Sequence, residues 1–147
     1  MEEKRFNIRV YGLLIRDQKQ VLLSTERRRD FQFTKFPGGG LDWGEGSRDC
    51  IRREIKEELG LEIEIEKLFY LTEHFQESAF RDQDQLISIY YLIDSKAKED
   101  IQDGMESLDP NEEDNRFYWR DIPSLTEDEL TFPIDREVLK LLHQHIL

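Results

Sequence analysis

The sequence contains a single cysteine, Cys50, among 147 residues. One cysteine cannot form an internal disulfide, nor can it supply a zinc site that uses several cysteine ligands. The chain also has no apolar run near the roughly 18 residues that cross a bilayer. Its N-terminus, MEEKRFNIRVYG, lacks the apolar stretch and the small-residue cleavage site of a secretory signal. We therefore expect a cytoplasmic protein that does not bind membranes.

Positive charge is also scarce, because 21 Lys and Arg residues stand against 33 Asp and Glu residues, for a formal net charge of −12. This balance argues against nucleic acid as a stable partner, since binding its backbone requires a basic surface. A phosphate-bearing substrate is compatible with the charge if metal ions lie between protein carboxylates and substrate phosphates. The sequence leaves open whether the chain forms a homodimer.

Hydrophobic residues make up 37% of the chain and aromatic residues 11%, which indicates a globular core rather than disorder. No internal repeat, low-complexity segment or linker divides the sequence, so we expect one domain over residues 1–147. Alternating and β-branched patterns predict strands. The predicted strands are 6–15, 20–25, 62–71, 86–93 and 116–119, with a further short strand, followed by a loop, in FQFTKFPGGGLDWGEG.

Two segments show helical periodicity, residues 47–59 and the C-terminal tail. We expect the acidic stretch 95–114 to be a mobile loop. Strands interrupted by one central and one terminal helix predict an α/β fold in which a mixed sheet packs between helices. The tail residues that share one apolar face are Ile134, Val138, Leu141, Leu142 and Ile146.

The central helix has signals at both ends. Ser47 is the predicted N-cap, and Asp49 lies in the first turn, where the helix dipole favours an anion. Gly60 is the predicted C-terminal stop. Ile51, Ile55 and Leu59 recur at i, i+4 and i+8, so these three should face the core.

Three glutamates lie beside that apolar stripe. At about 100° per residue, with Ile51 at zero, Glu57, Glu54 and Glu58 fall at roughly 240°, 300° and 340°. Carboxylates spaced at i, i+3 and i+4 repel one another, so the cluster favours a counter-cation, and hard oxygen ligands indicate Mg²⁺ or Mn²⁺. The alternative is a solvated acidic face whose glutamates pair with Arg53 or Lys56.

A glycine-rich segment precedes this helix. Gly39 and Gly40 belong to a loop that allows close backbone approach and leads into a helix N-terminus, where phosphate oxygens can bind. No Gly-Lys-Ser/Thr follows, which excludes a Walker-type nucleotide site.

Together, the loop and the helix resemble the Nudix box at every defining position. The matching pattern is Gly39, five residues, Glu45, seven residues, and then the run from Arg53 to Leu61, REIKEELGL. The order of flanking strands and helices is similar to that of a Nudix domain over nearly the whole chain. The resemblance implies a Nudix-type α/β/α sandwich.

The resemblance also implies roles for individual residues. The glutamates matching Glu57 and Glu58 bind Mg²⁺ in Nudix hydrolases, and the one matching Glu54 is a further ligand or the general base. The glutamate matching Glu45 supports or extends the metal site. The arginine matching Arg53 orients the helix carboxylates. The resemblance further implies a Mg²⁺-dependent hydrolase in which water attacks a phosphorus of a pyrophosphate, within a nucleoside diphosphate linked to another group X.

The family often draws one more ligand or base from a loop near the last strands, and Glu112 and Glu113 are the nearest candidates here. The alternative interpretation of these two residues is that they are solvated acids in a charged loop.

A rival function for the whole chain is a nucleotide-binding or regulatory module that has lost turnover, although the intact run from Arg53 to Glu58 argues against it. A hydrolase that processes mRNA is a third alternative, and the acidic charge argues against that one.

Overall fold

The computed structural model describes residues 3–146. Within this range, eight strands and two α-helices follow one another, with three short 3₁₀ turns at Lys98–Asp100, Ile122–Ser124 and Glu127–Glu129. The elements are β1 (Arg5–Arg16), β2 (Gln20–Arg28), β3 (Phe31–Lys35), β4 (Gly38–Gly40), α1 (Ser47–Leu59), β5 (Glu64–Leu71), β6 (Asp84–Asp94), β7 (Met105–Glu106), β8 (Asp114–Asp121) and α2 (Pro133–Ile146).

The strands form a mixed sheet in the order β5-β6-β1-β2-β8-β7, with β3 paired to β2 and β4 paired to β1. Strands β1 and β6 run parallel, from the pair Arg5 and Asp84 to the pair Leu14 and Ile93. The other strand pairs are antiparallel. The predicted mixed sheet is therefore confirmed.

Strands β1 and β2 separate soon after the turn that joins them. They pair only at Ile15 with Val21 and at Arg16 with Gln20. Farther from the turn, β1 pairs with the glycine strand β4, while β2 pairs with β3. A cleft opens between the two halves of the sheet because each strand takes a different neighbour there.

The two helices bury their apolar stripes among separate groups of sheet residues. Ile51, Ile55 and Leu59 of α1 pack in one core cluster with Val10 and Phe117. Helix α2 contributes to the second cluster, which also contains sheet residues Leu13, Val21 and Leu23. The result is the expected α/β/α arrangement. The buried apolar residues of α2 are Ile134, Val138, Leu139 and Leu142.

The predicted apolar face of α2 was wrong at one position, because Leu139 is buried while Leu141, which was predicted to share that face, is only half-buried. The side chain of Ile146 lies outside the described residues. No helix within residues 3–146 is both long and apolar enough to cross a membrane.

Three other local predictions need correction. Helix α1 does span 47–59, but its N-cap is Gly46; Ser47 is the first helical residue, and its hydroxyl pairs with that of Tyr91. The glycine segment predicted as a loop contains strand β4, whose three glycines pair with β1. The stretch 95–114 contains a 3₁₀ turn and β7, and the Leu108 amide donates to the Glu58 carbonyl at 2.8 Å.

Candidate active site

The three glutamates of α1 differ in burial in the order that their helical positions predict. The side chain of Glu57 is 45% exposed and that of Glu54 is 14% exposed. Glu58 is 2% exposed. Each step around the helix toward the apolar stripe therefore carries the next carboxylate deeper into the protein. This gradient places the glutamates in two different polar networks.

The first network, here called the outer cluster, consists of Arg53 with Glu45, Glu54 and Glu57. The Arg53 guanidinium donates to both carboxylate oxygens of Glu45, at 3.0 and 2.7 Å. It also donates to Glu54 at 3.1 Å, to Glu57 at 3.3 Å and to the carbonyl of Gly40 at 3.1 Å. The hydrogen bond from Arg53 lowers the pKa of Glu45 to about 2. Every carboxylate of the outer cluster therefore has a cationic partner.

The second network, here called the inner cluster, joins Glu58 to residues of β2, β8 and the preceding loop. Asn115 is buried, and its amide nitrogen donates to Glu58 and to Glu112, at 3.0 Å each. The hydroxyl of Ser24 donates to the Asn115 carbonyl oxygen at 2.6 Å, which fixes the orientation of the amide. Glu26 borders the same group, because it lies opposite Asn115 in the pairing of β2 with β8. A neutral amide therefore holds two acids together here.

The inner cluster is short of positive charge. Oε1 of Glu58 is a buried atom with no hydrogen-bond partner among the described residues. Burial raises the pKa of Glu58 well above its ordinary value, the carboxylates of Glu112 and Glu54 add to that rise, and Lys35 opposes it. Burial likewise raises the pKa of Glu26 and of Glu54. A buried carboxylate with one unpaired oxygen is costly, so Glu58 favours either a proton or a bound cation.

The donor atoms of both clusters fit a hard divalent cation. The possible ligands are carboxylate oxygens, which Mg²⁺ and Mn²⁺ prefer, and Glu58 offers an unpaired one. Within residues 3–146, no three acidic, His or Cys side chains already converge as a metal-binding group. The hydrogen bonds from Arg53 contribute to this lack of convergence, because they hold the carboxylates of Glu45, Glu54 and Glu57 in place.

The glycines of β4 are required for packing. A Cβ on Gly39 would lie 2.5 Å from Oε1 of Glu54, and a Cβ on Gly38 would lie 2.1 Å from the Val10 carbonyl oxygen. Gly38 also has a φ of +146°, which disfavours other residues. Gly39 and Gly40, predicted to bind phosphate, thus lie in a strand, and Gly39 lets the Glu54 carboxylate approach the backbone. Both line the cleft, and phosphate binding stays a prediction.

The cleft between the two halves of the sheet has a volume of about 640 Å³. Glu54 and Glu26 lie on its wall, as do both Glu112 and Glu113. Four cationic residues also line it, Arg9, Arg28, Arg29 and Lys35. Nζ of Lys35 donates to backbone carbonyls of Phe36 and Gly38, at 3.3 and 3.4 Å, so this charge lies near the glycine strand.

The structure gives Glu112 and Glu113 different environments, a difference that the sequence could not predict. Glu112 is half-buried and bonded to Asn115 and, at 2.5 Å, to Ser107, whereas Glu113 is exposed. Sequence reasoning missed Glu26, Lys35 and Asn115 because they lie on strands far from the helix in sequence. Their signal was a polar side chain on the inward face of a strand: Glu26 follows buried Ser24 by two residues, and Asn115 precedes buried Phe117 by two.

Comparisons with known proteins agree with this architecture. A family model described as the NUDIX domain matches residues 5–142. The chain is 33% identical over 64 residues to an RNA pyrophosphohydrolase from Ruthia magnifica subsp. Calyptogena magnifica, a match that covers 44% of this chain and 35% of that protein. The match thus spans about a third of the length of that curated relative.

Two solved structures share the fold at low sequence identity. A NUDIX hydrolase from Nitrosomonas europaea has a TM-score of 0.73 and 20% identity, and the alignment covers 95% of this chain and 89% of that one. A MutT protein from Methanosarcina mazei Go1 has a TM-score of 0.71 and 19% identity, with coverage of 99% and 98%.

Proposed function

Because the chain belongs to the NUDIX domain family, we propose that it is a divalent-metal-dependent hydrolase that cleaves a pyrophosphate bond in a small nucleotide derivative. The substrate is a nucleoside diphosphate linked to another group X. One observation carries the proposal, namely the unpaired, buried Oε1 of Glu58 in a network that reaches the cleft wall through Glu112. A carboxylate in that setting favours a cation, and a phosphoanhydride substrate requires one to balance its charge.

The proposed metal is Mg²⁺, with Mn²⁺ as a substitute. Glu58, Glu54 and Glu112 are the ligands that burial and position favour most, and Glu57 joins them once it is released from Arg53. Glu113 is the less favoured loop acid because nothing in the inner cluster bonds to it. The metal, when bound, neutralises the pyrophosphate and lowers the pKa of a water molecule. Glu54, which lines the cleft, is placed to orient that water or take its proton.

Arg53 and Glu45 act through the other residues. Both oxygens of Glu45 are already bonded to Arg53, so its proposed role is to fix the guanidinium rather than to hold a metal directly. Arg53 in turn sets the positions of the Glu54 and Glu57 carboxylates. Arg9 and Lys35, which line the cleft beside the glycine strand, are cations that can bind substrate phosphate oxygens.

The rival proposal, a binding module without turnover, predicts a degraded carboxylate set. Glu54, Glu57, Glu58 and Arg53 are all present and in contact with one another or with the inner cluster. The curated relative is named for an RNA substrate, but the net charge of −12 favours a small nucleotide over an RNA chain here. We also propose that residues 1–147 form one domain, since the family match covers residues 5–142.

A screen that separates each nucleotide from its hydrolysis products by anion-exchange chromatography tests the proposal, because cleavage of a nucleoside diphosphate linked to X yields two phosphate esters and no free phosphate. The panel contains nucleoside triphosphates, nucleotide sugars, dinucleoside polyphosphates and oxidised nucleotides, each with Mg²⁺, with Mn²⁺ or with a chelator. We expect turnover of at least one nucleotide with metal and none with the chelator. Nucleotide binding without turnover of any compound would instead support the non-hydrolytic module. Metal-independent turnover would overturn the proposed chemistry.

A further inference from the structure

Lys35 is a buried cation on strand β3, with 4% of its surface exposed. Its two hydrogen bonds within residues 3–146 both go to backbone carbonyls, those of Phe36 at 3.3 Å and Gly38 at 3.4 Å. Lysine is almost never fully buried unless its charge is compensated. We therefore looked for acids that lie near the Lys35 ammonium group without bonding to it.

The side chain of Lys35 lies on the sheet face that carries the inner cluster. Lys35 is opposite Ser24 in the antiparallel pairing of β3 with β2, and residues directly opposite each other on two strands point to the same face. The Ser24 hydroxyl bonds to Asn115, and the Asn115 amide bonds to Glu58. The positive charge of Lys35 is therefore next to the network that holds the unpaired carboxylate oxygen.

Glu54 of the outer cluster also lies close to Lys35. A Cβ on Gly39 would be 2.5 Å from Oε1 of Glu54, and the neighbouring Gly38 carbonyl accepts a hydrogen bond from Lys35. Both Lys35 and Glu54 line the cleft, as does Glu26. The carboxylates of both clusters therefore surround one ammonium group.

The charge of Lys35 acts on each of these acids. Burial raises the pKa of Glu26, Glu54 and Glu58, and Lys35 opposes the rise in all three. Burial also raises the pKa of Asp135, at the start of α2, to about 6, and Lys35 opposes that rise as well. A single cation thus compensates four acids that come from three different elements.

The hydrogen bonds of Lys35 leave the acids free to bind a metal. Arg53 bonds directly to carboxylate oxygens in the outer cluster, and those oxygens are then occupied. Lys35 is fixed by backbone carbonyls instead, so its charge stabilises the acids while Oε1 of Glu58 stays unpaired. A positive charge fixed at this place also repels a divalent cation.

We propose that Lys35 is the built-in counter-charge of the metal site, which stabilises the acids of the cleft before the metal binds and weakens the binding of the metal alone. The inference rests on the proposed hydrolase function. Phosphate groups bring negative charge next to Lys35, so they offset its repulsion of the metal. Lys35 therefore couples the two binding events, and the metal is held firmly only together with the substrate phosphates.

Four variants test the counter-charge. Lys35→Met removes the charge and keeps most of the apolar bulk, whereas Lys35→Arg keeps the charge. Lys67→Met is the matched control, because Lys67 is an exposed lysine on strand β5. The double variant Lys35→Met/Glu58→Gln removes the counter-charge together with the acid that has the unpaired oxygen.

Three measurements, none of which needs turnover, are made on each protein. Thermal melting in chelator gives Tm without metal. Electron paramagnetic resonance of the free ion gives the affinity for Mn²⁺ alone. Calorimetry at saturating Mn²⁺ gives the affinity for methylenediphosphonate, a pyrophosphate analogue that is not hydrolysed.

In chelator, Lys35→Met should lower Tm by about 6 °C, because the buried acids lose their counter-charge. This loss should fall to about half in the Glu58→Gln background, whereas a loss of packing would be equal in both backgrounds. Lys35→Met should bind Mn²⁺ about tenfold more tightly and methylenediphosphonate about tenfold more weakly. Lys35→Arg and Lys67→Met should keep the wild-type affinity for Mn²⁺.

Equal Tm losses in the two backgrounds would overturn the counter-charge, as would an unchanged or weaker affinity of Lys35→Met for Mn²⁺. Unchanged affinity for methylenediphosphonate would overturn the coupling to substrate. Failure to detect hydrolysis of any nucleotide would refute the proposed function but not the counter-charge. If no protein bound Mn²⁺, the proposed metal site would be refuted, and the melting series would still decide whether Lys35 compensates Glu58.

Discussion

The outer and inner clusters differ in how their carboxylates are stabilised, although both include glutamates of helix α1. In the outer cluster, Arg53 supplies positive charge to Glu45, Glu54 and Glu57. In the inner cluster, a neutral amide, Asn115, holds Glu58 against Glu112. The hydrogen bond from Arg53 lowers the pKa of Glu45, and burial raises that of Glu58. The outer cluster is complete as it stands, whereas the inner cluster favours an added cation.

The largest expected effect follows replacement of the unpaired acid. Glu58→Gln should lower kcat by about a hundredfold or more, since altering even the outer partners of a metal ligand costs 10–100-fold. Glu57→Gln should also lower kcat. Their effects on the metal-free protein should differ in sign: Glu58→Gln raises Tm by removing a buried charge, and Glu57→Gln slightly lowers it by removing a partner of Arg53. Steady-state kinetics and calorimetric melting in chelator measure both effects.

Near-normal turnover by Glu58→Gln at saturating Mg²⁺ would show that the inner cluster is not the metal site. A lower Tm of Glu58→Gln without metal would show that its carboxylate is adequately compensated in the folded protein.

The loop acids give the next comparison, because only one of them belongs to the inner cluster. Glu112→Gln should lower kcat by roughly thirtyfold, within the range for partners of a metal site. Glu113→Gln is the matched control and should retain most of the activity, since its side chain is exposed. Kinetics over a Mg²⁺ titration distinguish weaker metal binding from slower chemistry. Equal activity of the two variants would indicate that Glu112 and Glu113 are both solvated acids with no role in the metal site.

A smaller effect is expected in the outer cluster. Arg53→Lys keeps the charge but cannot donate to both oxygens of Glu45 and also to Glu54 and Glu57. We expect kcat to fall by about tenfold with little change in KM, because the guanidinium orients carboxylates and does not bind substrate. Arg52→Lys, at an exposed position on the same helix, is the control. A change confined to KM would reassign Arg53 to substrate binding.

The smallest effect is a difference in pH dependence without metal. The raised pKa of Glu58 means that its stability contribution is full at low pH and is lost as pH rises through that pKa. The lowered pKa of Glu45 gives the opposite slope, because its contribution is present above the ordinary value and is lost as pH falls toward about 2. In chelator at pH 7, Glu58→Gln should raise Tm by about 3 °C and Glu45→Gln should lower it. Parallel Tm–pH curves for the two variants would contradict this assignment.

The sequence predicted the outer cluster better than the inner one for a physical reason. Arg53, Glu54 and Glu57 lie within five positions on one helix, and helical periodicity specifies their neighbours. The bounds of α1, the approximate positions of the longer strands and the α/β class also follow from local patterns. Asn115 meets Glu58 from 57 positions away, and Ser24 meets Asn115 from 91. The pairing of β2 with β8 brings Ser24 near Asn115, and the packing of α1 against these strands brings Glu58 to the same place.

The glycine strand shows a second limit of local reasoning. Three consecutive glycines have weak strand propensity, so the sequence predicted a loop at 38–40. The structure pairs them with β1 because Gly38 and Gly39 leave room for the Val10 carbonyl and the Glu54 carboxylate. The prediction of Ser47 as the N-cap of α1 was wrong for a similar reason, since the Ser47 hydroxyl forms a hydrogen bond with Tyr91 of β6 instead of with its own helix.

Binding of Mn²⁺, followed by electron paramagnetic resonance of the free ion, tests most directly whether the inner cluster holds the metal. The titration compares wild type, Glu58→Gln and Glu113→Gln without substrate, and each fold is verified by melting. Wild type and Glu113→Gln should bind Mn²⁺ with the same dissociation constant, and Glu58→Gln should bind it at least about tenfold more weakly. Equal Mn²⁺ affinity in wild type and Glu58→Gln would contradict the assignment of the metal site to the inner cluster.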